Sequence, residues 1–223
     1  MKAVVTPRLS SIFSRLALAT GVSLVCVLGS APAVHAADEP LQILQQFVQQ
    51  TRHATGRFEQ QLDGSSGRSP ERSTGHFAFE RPGRFRWVYE APYPQELVSD
   101  GTRIWSWDAD LNQASVRDLG DALGSTPAAI LAGDGVLERD FEVSEGGMVD
   151  GLRWIQATPK QAESSFALVR LGFVADKLVR MEMQDNFGQN SVIHFTEFDV
   201  TKPVDSKQFS FTPPPGADVI GAE

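Results

Sequence analysis

The sequence predicts a mainly β protein with a few short helices, built on one long antiparallel sheet. Three observations predict it. Most of the chain divides into short runs of aromatic and β-branched residues, separated by Gly, Asp and Asn. The connections between those runs have hairpin length, whereas a parallel crossover needs a dozen or more residues. Only two stretches carry a clear helical signal, so the sheet cannot be sandwiched between helical layers.

In chain order, Lys2, Arg8 and Arg15 precede an apolar stretch from Leu16 to Leu28, and Val34-His35-Ala36 supplies a small-residue cleavage pattern. Residues 1–36 therefore read as a secretory signal, the apolar stretch being too short for a membrane span of roughly 20 residues. Cys26 is not expected to be acylated, because Val25 precedes it where a small residue is required. Residues 37–223 remain as a single domain without cysteine, large enough to bury its own core. The precursor has a formal net charge of −8, and losing three basic residues makes the mature chain more acidic still. That balance disfavours nucleic acid and anionic bilayers as partners.

Pro40 to Ala54 places Leu41, Leu44, Phe47 and Val48 at spacings of three and four, the pattern of an amphipathic helix, with Asp38 and Glu39 suited to its N-terminus. Strands are predicted at Phe58 to Leu62, Gly75 to Glu80, Phe85 to Tyr89, Leu97 to Asp100 and Arg103 to Trp107, with a tight turn at Asp100-Gly101. Gly64-Ser65-Ser66-Gly67 reads as a loop tip. Thr126 can cap a short helix over Ala128 to Ala132, with Pro127 at its first position and Gly133 ending it. Gly133 to Arg139 is too irregular to assign. Strands follow at Phe141 to Ser144, Leu152 to Ala157, Phe166 to Val174, Leu178 to Gln184, Ser191 to Phe198 and Phe209 to Phe211. Such a sheet must close on itself or curl around its helices, and closure leaves either a filled interior or a cavity.

The segment Arg81-Pro82-Gly83-Arg84-Phe85-Arg86-Trp87 concentrates the functional signal. Phe85, Trp87 and Tyr89 alternate along one strand and so share a face, which needs a core, a partner or a ligand. Aromatic stripes are most often core. Arg81 has the parity of Phe77 and Phe79, which turns it toward the apolar side, where a guanidinium needs hydrogen-bond partners. The alternative is a solvated strand-end arginine before a proline turn. Trp105 and Trp107 share parity and fit the interior or the exterior equally well.

Signals for catalysis are missing. His53, His76 and His194 are scattered, there is no G-x-S-x-G elbow and no cysteine nucleophile, and Asp108 and Asp110 sit in a loop. Gly133-Asp134-Gly135 and Gly146-Gly147 lack the lysine of a phosphate loop. No catalytic, metal or cofactor site is expected.

Taken in order, several segments resemble the periplasmic outer-membrane lipoprotein carrier (LolA) family of the lipoprotein localisation pathway. They are Gly56-Arg57-Phe58-Glu59-Gln60, the Arg81 to Trp87 run, Leu97-Val98-Ser99-Asp100-Gly101 with Trp105, Thr126-Pro127, Asp185 to Gln189, and Phe209-Ser210-Phe211-Thr212-Pro213-Pro214-Pro215-Gly216 with Asp218-Val219-Ile220. The resemblance covers nearly the whole mature chain. It implies an incomplete antiparallel β-barrel, a half-barrel, with short helices as a lid over a hydrophobic cavity. It further implies a monomeric periplasmic chaperone that takes acylated lipoproteins from an inner-membrane ABC exporter and delivers them to an outer-membrane receptor, and that is not an enzyme. Arg81 falls on the family arginine that holds the lid, and Phe85 on its cavity phenylalanine. Trp87, Phe77 and Phe79 are expected on the same apolar face, with Ile130 and Leu131 as lid contacts. Two rival readings remain: a half-barrel periplasmic sensor or transporter for another amphiphile, and a small hydrolase with an unrecognised site.

Overall fold

The computed structural model describes residues 38–63, 69–122, 126–161 and 164–221. The signal read over 1–36, with Cys26, and the loop tip read at 64–67 lie outside these residues. Helix α1 (Asp38–Gln50) is followed by a meander of β1 (His53–Leu62), β2 (Glu71–Glu80), β3 (Arg84–Ala91), β4 (Gln95–Asp100), β5 (Arg103–Asp108) and β6 (Gln113–Asp118). Three short helices come next: α2 (Leu119–Ala122), α3 (Pro127–Ala132) and α4 (Val136–Asp140). A second meander runs through β7 (Phe141–Val149), β8 (Leu152–Pro159), β9 (Phe166–Val174), β10 (Lys177–Asp185) and β11 (Asn190–Asp199). A 3₁₀ turn (Ser206–Phe209) and the short β12 (Asp218–Ile220) close the chain.

All the strands lie in one sheet of order β12-β6-β5-β4-β3-β2-β1-β11-β10-β9-β8-β7. The β1–β11 pair joins the two meanders, and among the described residues the outermost strands β12 and β7 do not pair, so the barrel is open. Every pairing is antiparallel except β12 on β6, which is parallel. One apolar cluster unites α1, α3 and α4 with inward residues of strands from β1 to β11, including Phe58, Phe77, Phe85, Trp87, Leu171 and Phe173. The sheet therefore wraps the helices, burying on one side the residues that alternate along its strands.

Several boundaries differ from the sequence reading. Helix α1 stops at Gln50, where periodicity carried it to Ala54; Ala54 instead opens the inner face of β1 opposite Phe79. Strand pairing overrides a helical pattern that two small residues barely support. The unassigned stretch after Gly133 contains α4, whose Val136 and Leu137 are buried. Strand β6 escapes notice because its buried positions are Ala114 and Val116, a weak strand signature, and they lie on the outer face opposite Trp107 and Trp105.

The predicted strand at Phe209 to Phe211 is not one. Phe209 lies in the 3₁₀ turn and packs with Ala78 and Val204 on the outer face of the sheet. Residues 200–217 form a strap across that face, with Arg86 Nη1 donating to the Gln208 carbonyl at 3.0 Å. Phe211 meets Trp105 and Trp107 at ring-centroid distances of 5.6 and 6.3 Å. Both tryptophans thus pack outside, on the face opposite the inward Ile104, which settles the choice their parity left open.

Candidate functional site

The β2–β3 turn, Arg81-Pro82-Gly83, delivers Arg81 to the rim of the interior. Arg81 is 4% exposed, one of few charged or polar residues so buried. Its guanidinium lies over the rings of Phe47 and Phe79, 5.4 and 4.9 Å from their centroids, contacts that favour a cation. Arg81 Nε donates to the Gly133 carbonyl at 3.3 Å, and Nη1 donates to the Thr51 carbonyl. Its backbone N–H donates to the Arg52 carbonyl at 2.8 Å. The side chain therefore ties the end of α3 to the end of α1. Burial lowers its pKa to about 10, against partial support from Asp134, so it remains a cation at neutral pH.

Helix α3 is built as a plug. Thr126 Oγ1 accepts from the Ala129 N–H at 3.1 Å, Pro127 supplies the preset first turn, and Ala128, Ala129, Ile130, Leu131 and Ala132 are all buried. At its C-terminal end the Gly133 N–H bonds the Ala129 carbonyl. The Gly83 N–H donates to the Ala132 carbonyl at 2.9 Å, adding a backbone bond to the one from Arg81. Gly83 has φ +73°, a conformation that glycine adopts without strain. The β2–β3 turn thus holds two consecutive carbonyls at the C-terminal end of α3, that of Ala132 by main chain and that of the capping Gly133 by side chain.

Beneath the plug lies an aromatic floor. Phe58 and Trp87 stack at 4.3 Å, Phe77 and Trp87 at 5.5 Å, and Phe77 and Phe79 at 6.3 Å. Phe195 and Phe198 meet Phe77 at 5.6 and 5.4 Å. Two glycines make this density possible, since β1 pairs Gly56 with Phe77 and Phe58 with Gly75. Each ring lies across its neighbour's missing side chain. Between α1, α3 and α4 the remaining seam, lined by Leu44, Phe47, Arg81, Ile130, Leu131 and Leu137, holds only ≈ 10 Å³. That is about the space of one water-sized probe, so this seam between the helices is filled.

All seven residues singled out from sequence, Arg81, Phe85, Trp87, Phe77, Phe79, Ile130 and Leu131, are buried in or against this interior. Phe85 pairs with Phe79 and Trp87 with Phe77 across β2–β3, so the four share one face. Sequence reasoning missed Thr51 and Phe47 as partners of Arg81, Gly83 as the turn's main-chain donor to Ala132, and Phe58 as the ring stacked on Trp87. The Phe58-Gly75 and Phe77-Gly56 reciprocity was visible as spacing, but only with the strand register known. Among the described residues no group of three or more His, Cys, Asp or Glu is placed to hold a metal ion.

An open antiparallel sheet, curled over short helices with an aromatic interior stoppered by one of them, defines a half-barrel of the kind that conceals apolar surface. Residues 49–212 match the family "Outer membrane lipoprotein carrier protein LolA". The chain is 40% identical over 211 residues to the outer-membrane lipoprotein carrier protein of Dechloromonas aromatica, covering 95% of this chain and 98% of that protein. It is 43% identical over 178 residues to that of Nitrosospira multiformis, covering 79% and 86%. The crystal structure of an uncharacterized conserved protein from Thermus thermophilus superposes with a TM-score of 0.51 at 13% identity, covering 83% of this chain and 98% of that one, a likeness of fold alone. The chain belongs to the outer membrane lipoprotein carrier protein LolA family.

Proposed function

We propose that this protein is a periplasmic chaperone for acylated lipoproteins, taking them from an inner-membrane ABC exporter and passing them to an outer-membrane receptor. Family membership supports lipoprotein as the cargo, and the signal-like pattern of residues 1–36 supports export to the periplasm. The acyl chains occupy the interior that α3 fills when it is closed, against Phe77, Phe79, Phe85 and Trp87. Arg81 is the latch. The observation that carries this reading is its buried guanidinium, bonded at once to Thr51 after α1 and Gly133 after α3.

Magnitudes favour exchange of plug for cargo. Withdrawing Ile130 and Leu131 from the interior forfeits roughly 3–6 kcal/mol of apolar burial, while each acyl methylene that replaces them contributes about 0.8 kcal/mol. Some four to eight methylenes therefore offset the opening of α3. A longer chain leaves a surplus, and the burial regained by the returning plug offsets part of what release costs. The exporter supplies the energy, so the carrier needs no nucleotide site.

Arg81→Leu tests the latch. The variant should load lipoprotein from the exporter as the wild type does, yet transfer it to the receptor at a fraction of the normal rate. Unimpaired transfer would remove Arg81 from the mechanism.

A further inference from the structure

The inner face of the half-barrel changes chemistry along its length. At the α3 end β3 presents Phe85 and Trp87, and β2 presents Phe79 and Phe77; toward the other end the same faces continue as Tyr89 and as Gly75 then Ser73. Strand β1 passes likewise from Phe58 to Gln60. The Tyr89 hydroxyl donates to Gln60 Oε1 at 2.9 Å, and Gln60 Nε2 donates to Ser191 Oγ at 2.8 Å. Tyr89 and Gln60 border a pocket of ≈ 170 Å³ that is also lined by Leu62, Glu71, Ser73, Tyr93 and Gln95.

At the boundary sits an unpaired donor. Trp87 is 2% exposed, and its indole Nε1 is buried with no hydrogen-bond partner of good geometry among the described residues. It lies near enough to Tyr89 to oppose the rise that burial imposes on the phenol, but without hydrogen-bond geometry. A buried donor left unmade costs about 1–3 kcal/mol, and an apolar ring in its place would not carry that cost. An acceptor brought by a ligand would complete it.

We propose that this polar end is the subsite for the head of the acylated cysteine, with Trp87 Nε1 donating to a glyceryl ester carbonyl and the Tyr89–Gln60–Ser191 chain meeting the adjoining cysteinyl amide. The inference rests on the carrier reading and deepens it, fixing which way the amphiphile lies: tails toward α3, head toward Tyr93 and Gln95. The polar lining of the pocket suits a head better than the tails.

The test uses two synthetic lipopeptides, one with its two hexadecanoyl chains ester-linked to the glyceryl-cysteine and one with the same chains ether-linked, in competition with a fluorescent acyl probe on the full mature protein. The ester form should bind about five- to tenfold tighter, the worth of one hydrogen bond. Trp87→Phe, which keeps a ring stacked on Phe58, should bring that ratio near one, and the Trp87 indole N–H resonance should move downfield with the ester ligand alone. Tyr89→Phe should weaken both ligands equally, since both carry the amide. Dipalmitoylglycerol, with the esters but no amide, should bind several-fold more weakly than the ester lipopeptide; parity would assign the pocket to free diglyceride and overturn the proposal. A wild-type ester-to-ether ratio near one, or a ratio that survives Trp87→Phe, would overturn it too while leaving the carrier reading intact. Failure of the wild type to bind either lipopeptide would instead refute the carrier reading itself.

Discussion

Gly75→Ala strikes the aromatic floor without touching any polar group. A Cβ built at Gly75 would stand 2.6 and 2.8 Å from Cζ and Cε1 of the Phe58 ring and would also collide with the Val88 carbonyl. Real contacts are not made at such distances, and neither obstacle is the free end of a flexible chain. Phe58 is itself pinned, stacked at 4.3 Å on Trp87 and set edge-on to Tyr89 at 5.4 Å. Overpacking a filled core costs about 1–3 kcal/mol, and a clash that includes main chain belongs at the upper end. For a chain of this size about 3 kcal/mol corresponds to a fall of roughly 6–12 °C in Tm. Thermal unfolding followed by circular dichroism reads it directly. Gly120→Ala is the control: nothing lies within 4 Å of its Cβ in α2, so a small gain of up to about 1 kcal/mol is expected. Combining Gly75→Ala with Phe58→Leu should cost less than the sum of the two, because the smaller side chain yields part of the space. A Tm for Gly75→Ala within 2 °C of wild type, on the order of the ~0.5 kcal/mol typical of neutral surface changes, would refute the claim that ring and glycine are mutually required.

Two further expectations concern the plug and the outer face. Thr126→Ala removes the hydroxyl that accepts from the Ala129 N–H, a loss of about 1 kcal/mol, so amides of α3 should exchange with deuterium about fivefold faster while those of β1 and β10 do not change; Thr126→Ser should restore the slower rate. Glu90 pairs with His76 Nδ1 at 2.8 Å and Arg57 Nη2 at 2.7 Å, and the bonds from His76 and then Arg57 hold its carboxyl below the ordinary 4.5. The folded state then binds fewer protons than the unfolded chain in the acid range, so this stabilisation is complete above about pH 4.5 and is lost as pH falls through the depressed value. Melting curves between pH 6 and 3 should drop less steeply for Glu90→Gln than for wild type, and identical slopes would exclude the contribution.

Much of the site was legible as alternation. Phe77 and Phe79, Phe85 and Trp87 read as one face of two adjacent strands, and they are one face. The α3 boundaries were legible because capping is local: Thr126, Pro127 and Gly133 act within one turn of the helix they delimit. Residues whose partners lie far along the chain were harder to read. Phe209 and Phe211 look like a strand by composition, yet they spend their apolar surface on Ala78, Val204 and the two outer tryptophans, with three prolines following. Strand β12 takes a parallel place beside β6, a pairing across more than 100 residues that hairpin-length reasoning does not reach.

By itself, the sequence determined the strand faces, the capped plug and the presence of a cation beside an apolar surface, because each depends on periodicity or on bonds within a few residues. Only the tertiary structure decided what that cation holds. The Thr51 and Gly133 carbonyls are main-chain atoms, the same in every residue type, and they become ligands of Arg81 only once α1 ends at Gln50 and α3 seats under the β2–β3 turn. The same is true of the open barrel. Two meanders with local hairpins would make two sheets, and it is the single long-range β1–β11 pairing that makes them one interior.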